Sequence, residues 1–492
     1  MPRPKPHAPN FSVTTRSDVG LGTDHGVTVR PDNGSFRDPL SRVFVDDEVV
    51  WRGLTSDALD DYEALAGSAF FSSALARGDI VATERVADDA PLPGGWAAVL
   101  RHECIGVLSY PYEWSFEMLR DAARLQLALT RQALAESLIT KDASAYNIQF
   151  VGSKPVFIDV GSFERLRPGE PWAGYRQFCE LFLNPLYVQA LRDVPFQPLL
   201  RGRLDGITPG TAAAIIGGAG HFRKGVFTNV RLHARAERKY ADADRERDVR
   251  AELKRAGFGS ALIDAQLRNV QKAVERLSWK QDDSTWSDYG ERGHYSDRDL
   301  DAKSSMVGAT VAGVGPPAVV LDLGANDGHF SRVALDAGAA SVVAVDSDHL
   351  VVDRLYRRLR EHGEQRILPL VVDLADPSPA IGWRSRERAS FVERVRPDLV
   401  LCLAVVHHLA LTNNVPLDEI VAFLADFAAP VVVEFPHRDD VMATRLLARK
   451  RSGLFDTYDV DTWEQALEQR FVIEDRRALP TATRTIYRCR PR

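Results

Sequence analysis

The stretch Asp322-Leu323-Gly324-Ala325-Asn326-Asp327-Gly328 closes one apolar run and opens a helical one. Gly324 and Gly328 lack a Cβ, so the backbone there can approach a ligand closely. Further on, Asp346 ends a second apolar run and Asp373 follows a third. A carboxylate at the first of these positions can accept both hydroxyls of a ribose, and one at the second can accept an adenine amino group. Asp322, just before the turn, can anchor it or meet an amino group of the ligand. The chemistry indicated is the binding of a nucleoside-type molecule. The turn reads D-x-G-x-x-x-G, not the G-x-G-x-x-G of many dinucleotide sites. Adjacent His407 and His408 close a fourth apolar run, and imidazoles can exchange a proton near neutral pH. Far upstream, Asp142, Asn147 and Asp159 punctuate "ITKDASAYNIQFVGSKPVFIDVGSF".

The elements that must position the first group follow from apolar patterning. "AVVLDLG", "SVVAVDSD", "ILPLVVDLADP", "PDLVLCLAVVHHL" and "APVVVEFPH" are near-continuous apolar strands separated by helical segments. That alternation predicts a parallel α/β sheet covered on both faces, with ligands bound beyond the carboxyl ends of its strands. "FVIEDRRA" and "TRTIYRCR" predict a closing antiparallel pair.

A glycine turn followed by acids at three successive strand ends resembles the class I S-adenosylmethionine-dependent methyltransferases, from about Ala265 to the C-terminus. "CLAVVHHLALTNNVPLDEI" and "VVVEFPHRDDVMATRLLA" resemble a subgroup that includes nodulation-protein-like methyltransferases. The resemblance implies a Rossmann-like fold and S-adenosylmethionine as cofactor, held by Asp322, Gly324, Asn326, Gly328, Asp346 and Asp373. Asn326 stands where many members carry a glycine. The implied reaction is transfer of an activated sulfonium methyl, which asks the protein mainly for alignment. An alcohol acceptor would also need a base, the role of His407 or His408. Asn413, Asn414, Glu434 and His437 are candidates to read the acceptor. Trp286, Tyr289 and Tyr295 are candidates for a lid.

The N-terminal half reads differently. "SRVFVDDEVVWRGL" predicts a β-hairpin, Asp57–Arg77 a helix, and "SFEMLRDAARLQLALTRQALAESL" a long helix capped by Ser115. "PWAGYRQFCELFLNPLYVQAL" predicts a buried helix. The D-x-x-x-x-N spacing of Asp142 and Asn147, then a strand leading to Asp159-Val160-Gly161, resembles the catalytic loop and metal motif of protein and aminoglycoside kinases. That resemblance implies an α+β kinase-like domain with Asp142 as base and Asn147 and Asp159 holding the Mg²⁺ of MgATP. It departs from the family in lacking a glycine-rich loop and any lysine between Lys5 and Lys141, leaving Arg52 as the candidate replacement. Tyr110–Trp114 would lie near the hinge.

The whole chain sets outer limits. Its 492 residues, 45% apolar and 26% charged, predict at least two soluble domains. The expected division is a tail over 1–36, an α+β kinase-like or acceptor-recognition domain over 37–260 and a methyltransferase domain over 261–492. Ile263, Leu267, Val270, Val274 and Leu277 form the apolar face of a helix expected to join the halves. A net charge of −6 argues against a nucleic-acid partner, and the charged run His221–Arg255 mixes both signs. Four scattered cysteines without a CxxC predict neither disulfide framework nor metal site. With no apolar leader and no span-length apolar run, a cytoplasmic protein without membrane association is expected. The function expected is O-methylation of a small metabolite or saccharide. The alternatives are a bifunctional kinase/methyltransferase and a non-catalytic scaffold that binds S-adenosylmethionine.

Overall fold

A computed structural model describes residues 29–46, 49–86, 92–220, 259–281, 297–315 and 317–492. The N-terminal half opens with a five-stranded antiparallel sheet. Its strands are β1 (Arg30–Pro31), β2 (Ser41–Val45), β3 (Val49–Leu54), β4 (Thr83–Val86) and β5 (Ala98–Glu103), in the order β1-β2-β3-β5-β4. The expected β2–β3 hairpin is present. The helix expected over Asp57–Arg77 is two helices, Ser56–Ala66 and Ala69–Arg77. The break falls at Gly67-Ser68, where the Ser68 hydroxyl accepts the Phe71 N–H and starts the second helix.

The long helix runs Phe116–Ala135 and is capped by Ser115. Beyond it, β6 (Leu138–Thr140) pairs with β9 (Phe163–Arg165), and β7 (Ile148–Val151) pairs with β8 (Lys154–Phe157). The loops after β6 and β8 carry Asp142, Asn147 and Asp159 to one place. The apolar segment after Trp172 is helical from Tyr175 to Arg192, with a π-helical stretch at Cys179–Leu183. The helix Ser260–Arg276 buries Ile263, Leu267, Val270 and Val274. It packs on the long helix of the N-terminal half, where Arg131 reaches Asp264 and Gln271.

The C-terminal half is built on seven strands: β10 (Val319–Leu323), β11 (Ser341–Asp346), β12 (Ile367–Val371), β13 (Leu399–Cys402), β14 (Val431–Pro436), β15 (Phe471–Ala478) and β16 (Arg484–Pro491). Their order is β12-β11-β10-β13-β14-β16-β15. The first five are parallel, and β16 runs antiparallel between β14 and β15. The strand order reverses between β10 and β13, which places the switch point beside the glycine turn.

One apolar core runs through both halves, from Leu119 and Phe150 to Val343, Tyr356 and Val400. Polar contacts pin the seam. The Glu117 N–H donates to Asp353 at 2.8 Å, and Tyr356 Oη donates to Asp121 at 2.9 Å. Arg394 pairs with Glu113, both buried, and its guanidinium lies 4.3 Å over the Tyr110 ring. Gly152 is needed where it sits: its φ is +57°, and a Cβ there would lie 2.0 Å from the Gln365 carbonyl. Among the described residues, no helix is long and apolar enough to cross a membrane.

Candidate cofactor and active site

The turn after β10 is made of left-handed residues: Gly324 at φ +75°, Asn326 at +47° and Gly328 at +78°. Asparagine is one of the few residues with a Cβ that enters this region readily, which accounts for Asn326. The Gly324 and Ala325 N–H groups donate to the Val345 carbonyl at 2.8 and 2.9 Å. A Cβ on Gly324 would lie 2.4 Å from Val405 Cγ2, so the turn lies flat against the β13 exit because this residue is glycine.

Above the turn is a cavity of about 300 Å³ whose walls include Gly324, Asn326, Asp346, Asp373, His408 and Asn413. Half-buried Asp346 accepts the N–H of Asn326 and of Asp348, each at 3.0 Å, and burial pushes its carboxyl up. Each of its oxygens keeps a lone pair for a ligand hydroxyl. Asp373 is exposed and accepts the Ala375 N–H at 2.9 Å. Asp322 and Gly328 stand outside the lining. Asp322 is buried, accepts the Ser331 hydroxyl at 2.6 Å, and is pushed up to about 6 by burial. It ties β10 to the helix that follows. Gly328 caps that helix, His329–Asp336. Ser331 was not among the sequence candidates; its signal is its place on the first turn of the helix that Asp322 must hold.

His407 and His408 separate sharply. His408 lines the cavity. His407 is 0% exposed, outside the lining, and neither ring nitrogen has a hydrogen-bond partner. The rings lie 4.0 Å apart. Burial, then the Arg484 charge, lowers His408 to about 4. Burial lowers His407 well below the usual imidazole range. Behind the pair lies a buried ion cluster: Lys303 to Glu434 at 2.8 Å, Arg484 to Glu434 at 3.0 Å and Arg484 to Asp440 at 2.7 Å. Glu434 therefore spends its charge inside the protein, a correction to its expected role as an acceptor-reading residue. His437 Nε2 is bonded to Thr485 and Asn414 to Lys450. Lys303 carried no sequence signal, since it lies on a helix outside the strand set. Trp286, Tyr289, Tyr295 and the run His221–Arg255 lie outside the described residues.

In the N-terminal half, Asp142, Asn147 and Asp159 line one cavity of about 780 Å³. Arg52 Nη2 lies 2.7 Å from Asp159 Oδ1, and its Nη1 donates to Ser41 at 3.0 Å. Burial, then the nearby Asp159 charge, raises Asp142 to about 6. Tyr110–Trp114 packs into the seam and is not part of this lining. Among the described residues, no group of three or more His, Cys, Asp or Glu side chains is arranged to hold a metal ion.

The strand order, the antiparallel β16 and the left-handed turn at the switch point define the C-terminal half as a class I S-adenosylmethionine-dependent methyltransferase fold. No family model matches the chain. It is 33% identical over 465 residues to the nodulation protein NoeA of Rhizobium meliloti (strain 1021), covering 92% of this chain and 94% of that protein. The chain belongs to the family of that nodulation protein. Solved structures with a distant likeness include the N-methyltransferase NodS from Bradyrhizobium japonicum WM9 and the bifunctional kinase-methyltransferase WbdD. NodS is 12% identical, with 40% of this chain and 98% of NodS covered at a TM-score of 0.30. WbdD is 18% identical, with 42% of this chain and 41% of WbdD covered at a TM-score of 0.29.

Proposed function

We propose that the C-terminal half binds S-adenosylmethionine and directs its methyl group to a hydroxyl of a small metabolite or saccharide. The observation that carries this reading is one cavity at the switch point joining a close-approach glycine turn, the strand-end carboxylates of Asp346 and Asp373, and a histidine. The cofactor would supply an already activated methyl group. Asp346 would accept the ribose hydroxyls and Asp373 the adenine amino group. The Gly324–Asn326 backbone would line the cofactor's place, since Gly324 without a Cβ lets the turn lie against Val405. His408, kept neutral by burial and Arg484, would take the acceptor's hydroxyl proton at a ring nitrogen. His407 would back the His408 ring.

The test is calorimetric titration of S-adenosylmethionine and S-adenosylhomocysteine into wild-type protein and Asp346→Ala. Loss of a charge-assisted hydrogen bond predicts weakening by more than about 1 kcal/mol, or about fivefold. A folded wild type that binds neither molecule refutes the reading. Binding without release of S-adenosylhomocysteine across a metabolite and saccharide panel favours a non-catalytic scaffold. A second reading, MgATP-dependent phosphotransfer in the N-terminal half, is favoured by one observation: Asp142, Asn147 and Asp159 share a cavity. It requires the Arg52–Asp159 ion pair to open for a metal.

A further inference from the structure

We propose that the 780 Å³ cavity is a second ligand site that takes a neutral polyhydroxylated molecule of the saccharide class, without a metal ion. The proposal does not depend on methyl transfer. The walls come from both halves: Arg52, Asp142 and Asp159 on one side, Glu387 and Arg388 on the other. The site is built, not incidental. Arg52 is 7% exposed and fixed by Ser41 and Asp159. Gly161 leaves space for it, since a Cβ there would lie 2.8 Å from Arg52 Nη1. Arg388 lies 4.5 Å over the Tyr146 ring. Arg52 Nε, Arg388 Nε and Tyr146 Oη are buried donors without a protein acceptor, all on lining residues.

The charge pattern selects the ligand. Arg37 pairs with Glu387, Arg52 with Asp159 and Arg176 with Glu180. Outside those pairs the lining carries Lys141, Arg203 and Arg388 against Asp32, Asp38, Asp142 and Asp205. Those charges nearly cancel. A nucleoside triphosphate would need a cationic surplus or a bridging metal. Here Arg52 already occupies an Asp159 oxygen. Alternating carboxylates and guanidinium groups instead match sugar hydroxyls, which donate and accept at the same atom. The Tyr146 face is covered by Arg388, so recognition would run through hydrogen bonds and not through stacking.

The full chain would be screened on an array of neutral, sialylated and sulfated oligosaccharides. Hits would be titrated by calorimetry with and without EDTA, beside MgATP. The expected result is a neutral glycan bound equally in EDTA and weakened at least tenfold by isosteric Asp142→Asn, with a second loss in Arg388→Ala. Circular dichroism would show that both variants are folded. Retention of no neutral glycan, binding that survives both substitutions, or MgATP binding abolished by Asp159→Asn would overturn the proposal.

Discussion

Replacing Glu434 by glutamine keeps the shape of the buried ion cluster and removes its central charge. Lys303 is 1% exposed, Arg484 2% and Glu434 0%, so water cannot compensate. Arg484 retains Asp440 at 2.7 Å. Lys303 loses the partner 2.8 Å from its ammonium. Burial already lowers the Lys303 pKa, and Glu434 is the largest influence holding it up. Removing one partner of a buried pair typically costs about 3–5 kcal/mol. Global stability is commonly about 5–15 kcal/mol, so the loss should be plain in a urea titration. A double variant, Glu434→Gln with Lys303→Met, removes the buried cation along with the Glu434 charge that faces it. It should recover part of the loss, because the buried ammonium that faced the lost charge is gone as well. A single-variant loss below about 1 kcal/mol, or a double variant no more stable than the single one, would show that the buried charges of the cluster do not stabilise the fold.

Two further outcomes follow from the switch-point cavity. Gly324→Ala places a Cβ 2.4 Å from Val405 Cγ2 on a residue at φ +75°. It should cost about 1–3 kcal/mol of stability and at least tenfold in S-adenosylmethionine affinity; wild-type affinity by calorimetry would contradict the close-approach argument. For His408, histidine-labelled NMR with assignment by His408→Asn should show titration near pH 4, against about 6.5 in the unfolded chain. The unfolded state then binds the extra proton between those values. This residue's contribution to stability is therefore full above pH 6.5 and lost as pH falls toward 4. A midpoint above 5.5 would mean that the ring is not shielded as the structure shows.

Legibility from sequence followed burial. β10 to β14 are covered on both faces, so their apolar runs marked them, and the acids at their ends marked the ligand edge. Gly324, Asn326, Asp346, Asp373 and His408 do meet in one cavity. His407 could not be told from His408 in the sequence. They are neighbours at the start of a helical turn, where successive side chains diverge by about 100°, and only the packing decides which one faces the cavity. Asp322 carried two readings, anchor of the turn or ligand contact, and only its buried hydroxyl partner, Ser331, points to the first. The pairing of β6 with β9 was illegible because both strands have only three residues and their contact spans the loops between them. The break at Gly67-Ser68 was legible in principle, since a glycine followed by a serine cap is a helix boundary signal.

A single segment lines both cavities. Val372, Asp373 and Leu374 line the switch-point cavity, and Glu387 and Arg388, on the same connection between β12 and β13, line the larger one. The N-terminal half holds this segment along its length: Arg201 at Asp376, Arg37 at Glu387 and the Tyr110 hydroxyl at the Ala389 N–H. Gly382 is closed in by Leu204, so the path has little slack. A C-terminal half expressed alone would lose the partners of the segment that runs on from the wall of the switch-point cavity. An N-terminal half alone would lose a wall of the larger cavity outright. The likeness to the nodulation protein spans 92% of the chain, so that relative shares sequence with both halves and not with the methyltransferase fold alone. That is the pattern expected when the larger cavity takes its walls from both halves.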